Sequence, residues 1–422
     1  MIPGRNPAVQ RVLVWAGASA LRINLLIALF GLVLFGAVSA TSGRVPINNG
    51  TGWDGSMYAA MVTGRLVDGN VHTQSRPLIP LAVRLPYRAG LDVVTAFQVT
   101  NVISAFALYL LTCLILDRYG VAALEKSFFV ASLALSIATA RMFAYYPVLV
   151  DLGALALLML ATYAILTRGG WLAGAAIVLA VTAREFAAAL VFLLLVRSIR
   201  QRRGMVPAAV SSAIALAVLL AIRWWASTTN VGDPTTSLQT GGSMLANLEL
   251  WRDPPFVAFF VYFFVTLVGG LTALLASRIL WCVKTLVRRP ELGIYTALIV
   301  AAAAAGNADI WRYLVFLLPV VTILFGKFVR EFRPHLVVLG VALVFTVLTQ
   351  EPFGRMRLAN YFQDWFPVYR MRDAEPLTAA FWSAWSQRFV VTVVAFVALM
   401  LVQWLWLKRR VPPADSAPLV GA

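Results

Sequence analysis

The chain is poor in the residues that soluble chemistry relies on. It has two cysteines and two histidines in 422 residues, and only 13% of its residues are charged. Cys113 falls in an apolar run and Cys282 near the end of another, so no disulfide framework is expected. His72 and His335 are far apart and predicted on opposite faces, which argues against a histidine metal site. No phosphate-binding glycine loop, Walker pattern or Ser/His/Asp set is recognisable. Acidic residues are scarce, 18 against 35 Lys and Arg, for a net charge of +17. Such an excess suggests nucleic acid, but the basic residues punctuate apolar runs rather than forming a basic domain, so no nucleic-acid partner is expected. Internal repeats, coiled-coil heptads and a sizeable soluble domain are all absent from the pattern.

What is there is apolar sequence. It makes up 61% of the chain, and the mean hydropathy is +0.82, which excludes an ordinary soluble domain. The fold class expected is all-α: a polytopic membrane protein of about 12 segments. They run over 23–40, 93–116, 124–140, 148–167, 171–183, 186–196, 207–225, 256–277, 294–305, 310–325, 336–348 and 389–407. The first is too long for the core of a cleaved signal and is followed by many more. Those at 171–183 and 186–196 are short and read as a hairpin. Residues 1–410 form a single transmembrane domain, and 411–422 a short cytoplasmic tail.

Orientation comes from Lys and Arg in the short connections. Alternate threading puts 197–203, 278–289, 327–333 and 408–410 on one face, which is then cytoplasmic together with both termini. The expected location is a bacterial plasma (inner) membrane, with membrane lipids as partners. Loops 41–92, 227–255 and 350–388 then lie outside, and the first of these carries short interfacial helices. The 350–388 loop is rich in aromatics, including Tyr361, Trp365 and Trp382, and is either a cover over a site or an amphipathic connector.

The remaining charges are the informative ones, because ionisable groups at membrane depth are costly and usually paired or functional. Asp54, Arg141, Asp151, Arg184, Glu185, Asp309 and Arg312 all fall at the outer ends of segments or in outer loops. A solvated turn accounts for any one of them singly. It accounts less well for Arg184-Glu185, which interrupts an apolar hairpin, and for Asp151, which follows Tyr145-Tyr146-Pro147 and opens an apolar run. The centre of the pattern is Gly52-Trp53-Asp54-Gly55-Ser56-Met57-Tyr58, where glycines on both sides leave bare backbone around a carboxylate and open it to a bulky ligand. The same stretch is also good turn chemistry. A carboxylate suits deprotonation of a hydroxyl, and arginines suit phosphate. The outer face lacks nucleotide sugars, so a glycosyl donor there is lipid-linked, and the inference is a transferase using a polyprenyl-phosphate sugar.

The pattern resembles the GT-C superfamily of integral-membrane glycosyltransferases. Trp53-Asp54-Gly55-x-x-Tyr58 is similar to the Trp-Asp motif of the GPI mannosyltransferase group and to a Tyr-Asp-Gly-x-x-Tyr segment of bacterial members. Arg76-Pro77-Leu78-Ile79-Pro80 is similar to the Arg and Pro-x-x-Pro-like element that follows in those relatives. Thr182-Ala183-Arg184-Glu185 and Asp309-Ile310-Trp311-Arg312-Tyr313 are similar to later short segments, the last opening a span that ends near Pro319. The order of these motifs, over about residues 20–350, carries the resemblance. Serine at 56 departs from the members with an Asp-x-Asp metal motif, and the large soluble C-terminal domain of some members is missing.

The resemblance implies an inverting hexosyl- or pentosyltransferase with Asp54 as catalytic base and Arg76, Arg184 and Arg312 on the donor phosphate. Trp53, Tyr58, Arg141, Asp151, Glu185 and Asp309 support them. The partners implied are a polyprenyl-phosphate sugar donor (possible sugars include mannose) and a glycan, lipid or protein acceptor of the cell envelope. No metal and no cofactor are expected. Two other classes fit the composition: a transporter or flippase for a lipid-linked saccharide, and a non-catalytic envelope-assembly protein. A transporter predicts polar residues through mid-membrane and pseudo-symmetric halves, neither of which the sequence shows.

Overall fold

A computed structural model describes residues 7–52, 54–68, 70–167, 169–229, 257, 267–305, 310–350, 352–353 and 379–408. Loops 227–255 and 350–388, the start of the 256–277 segment and the 411–422 tail therefore lie largely or wholly outside the described residues. Those residues are helical, with no strand among them.

The chain enters on α1 (Pro7–Ser42). Short helices fill the 41–92 loop: α2 (Asp54–Thr63), α3 (Val71–Gln74) and α4 (Leu78–Arg88). Then α5 (Val93–Asp117) begins at Asp92, whose carboxylate accepts from the amides of Val94 and Thr95, both at 3.1 Å. Those hydrogen bonds, Thr95's first, hold the Asp92 carboxyl below its ordinary range. The predicted segment 124–140 is broken. It begins as α6 (Ala123–Ala134), passes through a π-turn at Ile137–Arg141 and ends in α7 (Met142–Tyr145).

The middle of the chain is α8 (Asp151–Thr167), α9 (Gly170–Ala183), α10 (Leu190–Gln201) and α11 (Met205–Thr229). It continues as α12 (Gly270–Ala276), α13 (Ile279–Arg288), α14 (Pro290–Ala305), α15 (Ile310–Leu314), α16 (Leu318–Phe332), α17 (Leu336–Gln350) and α18 (Ala379–Lys408). Four stretches are long and apolar enough to cross a membrane: Ser19–Ser42, Val93–Asp117, Met205–Thr229 and Arg312–Phe332. The number is six if the two bent pairs, α6 with α7 and α12 with α13, each count once. Five further apolar helices are shorter than the ~20 residues a bilayer core needs. The twelve crossings expected from the sequence thus exceed the helices of full spanning length among the described residues.

In lipid, close approach at small residues is one of the contributions that hold helices together. Glycines sit at several close helix contacts here. A Cβ on Gly31 of α1 would come within 2.5 Å of Val130 and 2.8 Å of Tyr109. One on Gly174 of α9 would meet Ser211 of α11 at 2.1 Å, and one on Gly153 of α8 would meet Ile79 of α4 at 2.5 Å. The last contact draws the start of α8 onto the 41–92 loop.

The helices run between two chemically different ends. One end carries the 41–92 loop. The other gathers the basic connections: Arg200 reaches Glu291 at 3.3 Å, Trp281 donates to Glu331 at 2.5 Å, and the rings of His335 and Trp406 lie 5.7 Å apart. Three of the basic stretches grouped by alternate threading, 197–203, 278–289 and 327–333, therefore share one end of the bundle, and the helix that leads to 408–410 reaches the same end at Trp406.

Candidate functional site

At the loop end, seven of the predicted site residues join into one network. Asp54 is the first residue of α2, where the positive end of the helix dipole favours a carboxylate. The far end of α2 is tied down by Arg84 of α4, which donates to the carbonyls of Met61 at 2.7 Å and Gly64 at 2.9 Å. Arg76 precedes Pro77, and proline disfavours helix for the residue before it, so α4 starts only after the arginine. Asp151 opens α8. Arg184 is extended (φ −159°, ψ 126°) and breaks α9 from the short 3₁₀ turn Glu185–Ala189 that leads into α10. Arg312 lies in α15.

The pairing is specific. Arg76 grips Glu185 with both prongs, Nη2 to Oε1 at 2.7 Å and Nε to Oε2 at 2.9 Å, and its Nη1 donates to Tyr58 Oη at 2.9 Å. Asp151 binds two arginines, Arg312 Nη2 at 2.8 Å and Arg184 Nε at 3.3 Å. Arg312 Nη1 then reaches Asp54 at 3.5 Å. The Arg184 guanidinium also sits over the Phe186 ring at 5.6 Å, and that ring packs edge-on against Tyr313 at 4.5 Å, so α15 is clamped to the break after α9.

Burial separates the members. The side chain of Asp151 is 1% exposed and that of Arg312 6%, whereas that of Asp54 is 54% exposed. Asp54 is thus the carboxylate that a solute meets. Burial alone would raise the Glu185 carboxyl, but Arg76 and Arg184 outweigh it and hold the group well below the ordinary glutamate range. Burial pushes the Tyr58 phenol up, against the pull of Arg76, so Tyr58 keeps its proton. Three guanidinium groups face three carboxylates, and the network is neutral. Within it, Nη1 of the buried Arg184 has no hydrogen-bond partner among the described residues. A buried donor left open in this way costs about 1–3 kcal/mol, which an arriving oxyanion recovers.

Two sequence readings change. The glycines around Asp54 do leave bare backbone, but a side chain of the protein takes the space. A Cβ on Gly52 would fall 2.4 Å from the Tyr146 ring, and one on Gly55 2.8 Å from that ring and 2.9 Å from the Val148 carbonyl. Tyr146 also accepts from the Gly55 amide at 2.8 Å. Its own segment is held by Asn101, which donates to the Pro147 carbonyl at 2.8 Å, and by the Val45 amide, which donates to the Tyr145 carbonyl at 2.9 Å. Tyr146 is therefore the positioning residue that the sequence reading missed; its only signal was its place ahead of Asp151. Arg141 makes a different contact, donating to the Gln350 carbonyl at 3.1 Å and so linking the π-turn to the end of α17. Trp53 and Asp309 lie outside the described residues.

Chemically, this is an accessible carboxylate backed by a buried arginine network in which the Arg184 Nη1 amino group makes no hydrogen bond among the described residues. It suits removal of a proton beside a place for an anion. No family model matches the chain, and no curated protein or solved structure does either, so the reading of this network rests on its own residues.

Proposed function

We propose that the chain is an inverting membrane glycosyltransferase of GT-C type, moving a sugar from a polyprenyl-phosphate donor to a hydroxyl of a cell-envelope acceptor. One observation carries the reading: Arg312 joins the exposed Asp54 to the buried Asp151, which also pairs with Arg184, whose Nη1 makes no hydrogen bond among the described residues. The acceptor hydroxyl oxygen attacks the anomeric carbon from the face opposite the phosphate. The new C–O bond forms as the bond to the phosphate oxygen breaks, and the electron pair leaves on the phosphate. The hydroxyl proton goes to Asp54. The phosphodiester carries one negative charge and the released monoester tends to two, so charge moves from Asp54 to the leaving group. Protonated Asp54 no longer holds Arg312, whose Nη1 is then available to the phosphate at the moment the second charge develops. Fixed donors aimed at developing charge are usually the largest catalytic term. Arg76, locked on Glu185 and Tyr58, shapes the floor.

In this reading the loop end faces outward and the basic end, with both termini, the cytoplasm. The four long helices, the two bent pairs, the five shorter apolar helices and α10 would together make the twelve crossings.

The test is transfer in membranes with radiolabelled polyprenyl-phosphate mannose, and in parallel a polyprenyl-phosphate pentose. Asp54→Asn keeps the side chain's size but cannot take the proton, and is expected to lose about three orders of magnitude in rate at equal protein level. Arg184→Lys keeps the charge but not the planar fork, and is expected to lose about ten- to a hundredfold. An Asp54→Asn protein as active as wild type sinks the reading.

A further inference from the structure

The basic end holds a second charged feature that the network above does not use. A cleft opens between the ends of α5, α8, α10 and α16 and the start of α14. Tyr119, Arg197, Arg289 and Lys327 line it, with Glu291 as the acidic member and apolar walls from Leu166 and Leu193. Glu291 is buried and shared between Arg200, at 3.3 Å, and Arg289, at 3.6 Å. Lys327 makes no ion pair or hydrogen bond among the described residues, and Arg197 makes only a 3.4 Å contact to the Leu166 carbonyl. Three lining cations, Arg197, Arg289 and Lys327, face one lining carboxylate, which Arg200 also shares from outside, so positive charge is in excess even with Glu331 near Lys327. These side chains are half-buried or pair with a buried carboxylate, so water screens them incompletely, and their mutual repulsion is relieved by an anion. The Tyr119 ring lies across Gly326, where a Cβ would meet it at 2.8 Å, and this close approach holds the ring at the cleft edge.

The site is distinct from the loop-end network. Asp151 opens α8 and Leu166 nearly closes it, so the two lie about 22 Å apart along the helix at 1.5 Å per residue. Size restricts the ligand. The cleft is partly open and narrow, with room inside for a water or two (about 20 Å³), so a compact group docks at its mouth.

We propose that this cleft binds a phosphate group, either the phosphodiester of an anionic lipid or inorganic phosphate, with Arg197, Arg289 and Lys327 as its donors. The proposal does not depend on the glycosyltransferase reading. Phosphate oxygens match arginine forks, and a lysine adds a point charge. Both sources share the chemistry; the experiment separates them.

The full chain is purified in micelles of phosphatidylcholine doped with phosphatidylglycerol, and retained lipid is read by native mass spectrometry. Binding of radiolabelled inorganic phosphate is measured by equilibrium dialysis. Wild type is expected to retain one of these anions over phosphatidylcholine. Arg197→Gln with Lys327→Gln should weaken that binding about tenfold or more. Glu291→Gln removes the competing carboxylate and should tighten it. Arg203→Gln, an exposed charge at the same end but outside the cleft, should leave it unchanged. Retention of phosphatidylglycerol assigns a lipid headgroup, and dialysis binding alone assigns free phosphate. Equal binding by all variants, or no preference for either anion in wild type, overturns the proposal. If the double variant fails to insert, Glu291→Gln decides alone: unchanged or weaker binding overturns it.

Discussion

The two ends of the bundle handle charge in opposite ways. At the loop end every guanidinium of the network is matched by a carboxylate, the inner members are sealed, and only Asp54 is open. In the basic cleft cations outnumber carboxylates, and the buried acid among its described residues, Glu291, is shared by two exposed or half-exposed arginines. A balanced cluster is rigid and prepared: beyond the one anion its open donor accepts, further negative charge is taken up as a proton moves to Asp54. An unbalanced one is an attractor that waits for a counter-ion. The difference teaches that the count of charges at a site says less than their ratio and their burial.

The comparison breaks first at Asp151. Removing one partner of a buried ion pair leaves the other uncompensated: Asp151→Asn takes the ion-pair partner from Arg184 and leaves Arg312 only Asp54, a loss of about 3–5 kcal/mol. Thermal unfolding in detergent should show a midpoint many degrees below wild type. Arg197→Gln at the other end relieves repulsion and should leave the midpoint unchanged or raise it. Equal midpoints for both variants would mean the ends do not differ as described.

A smaller effect sharpens the packing side. Gly55→Ala pushes a methyl into the Tyr146 ring and the Val148 carbonyl, and overpacking of this kind costs about 1–3 kcal/mol. It should also lower transfer, because Asp54 is the neighbour that shifts. Gly36→Ala in α1 meets nothing within 4 Å and should be neutral or slightly stabilising. The same midpoint for both variants would remove Tyr146 from the account.

The smallest effect is expected at Arg65, whose pair with Asp68 at the loop end is long (3.9 Å) and exposed. Surface pairs of this sort contribute little. Arg65→Ala should leave both midpoint and transfer unchanged. A measurable loss would show that the loop end draws on charges beyond the sealed network.

Much of the network was legible because lipid makes charge rare. In a chain with 13% charged residues, each carboxylate or arginine at a segment mouth stands out, and seven of those named from the sequence do come together: Asp54, Tyr58, Arg76, Asp151, Arg184, Glu185 and Arg312. Tyr146 was not legible, because an aromatic beside a helix start has no distinctive spacing. The basic cleft was half legible. Its arginines were seen as a marker of sidedness, but their meeting around Glu291 depends on α10, α14 and α16 ending side by side.

By itself the sequence determined the class of fold, the segregation of basic residues to one end and the short roster of charges at the other. Hydropathy and charge are properties of single residues, and a bilayer sorts them one by one. Only the tertiary structure decided which arginine holds which carboxylate, that Asp54 is open while Asp151 is sealed, and that the loop-end network is balanced while the basic cleft is not. Those depend on distances of a few ångströms between residues far apart in the chain. Helix packing at Gly153 and Gly55, and the break at Arg184, set those distances.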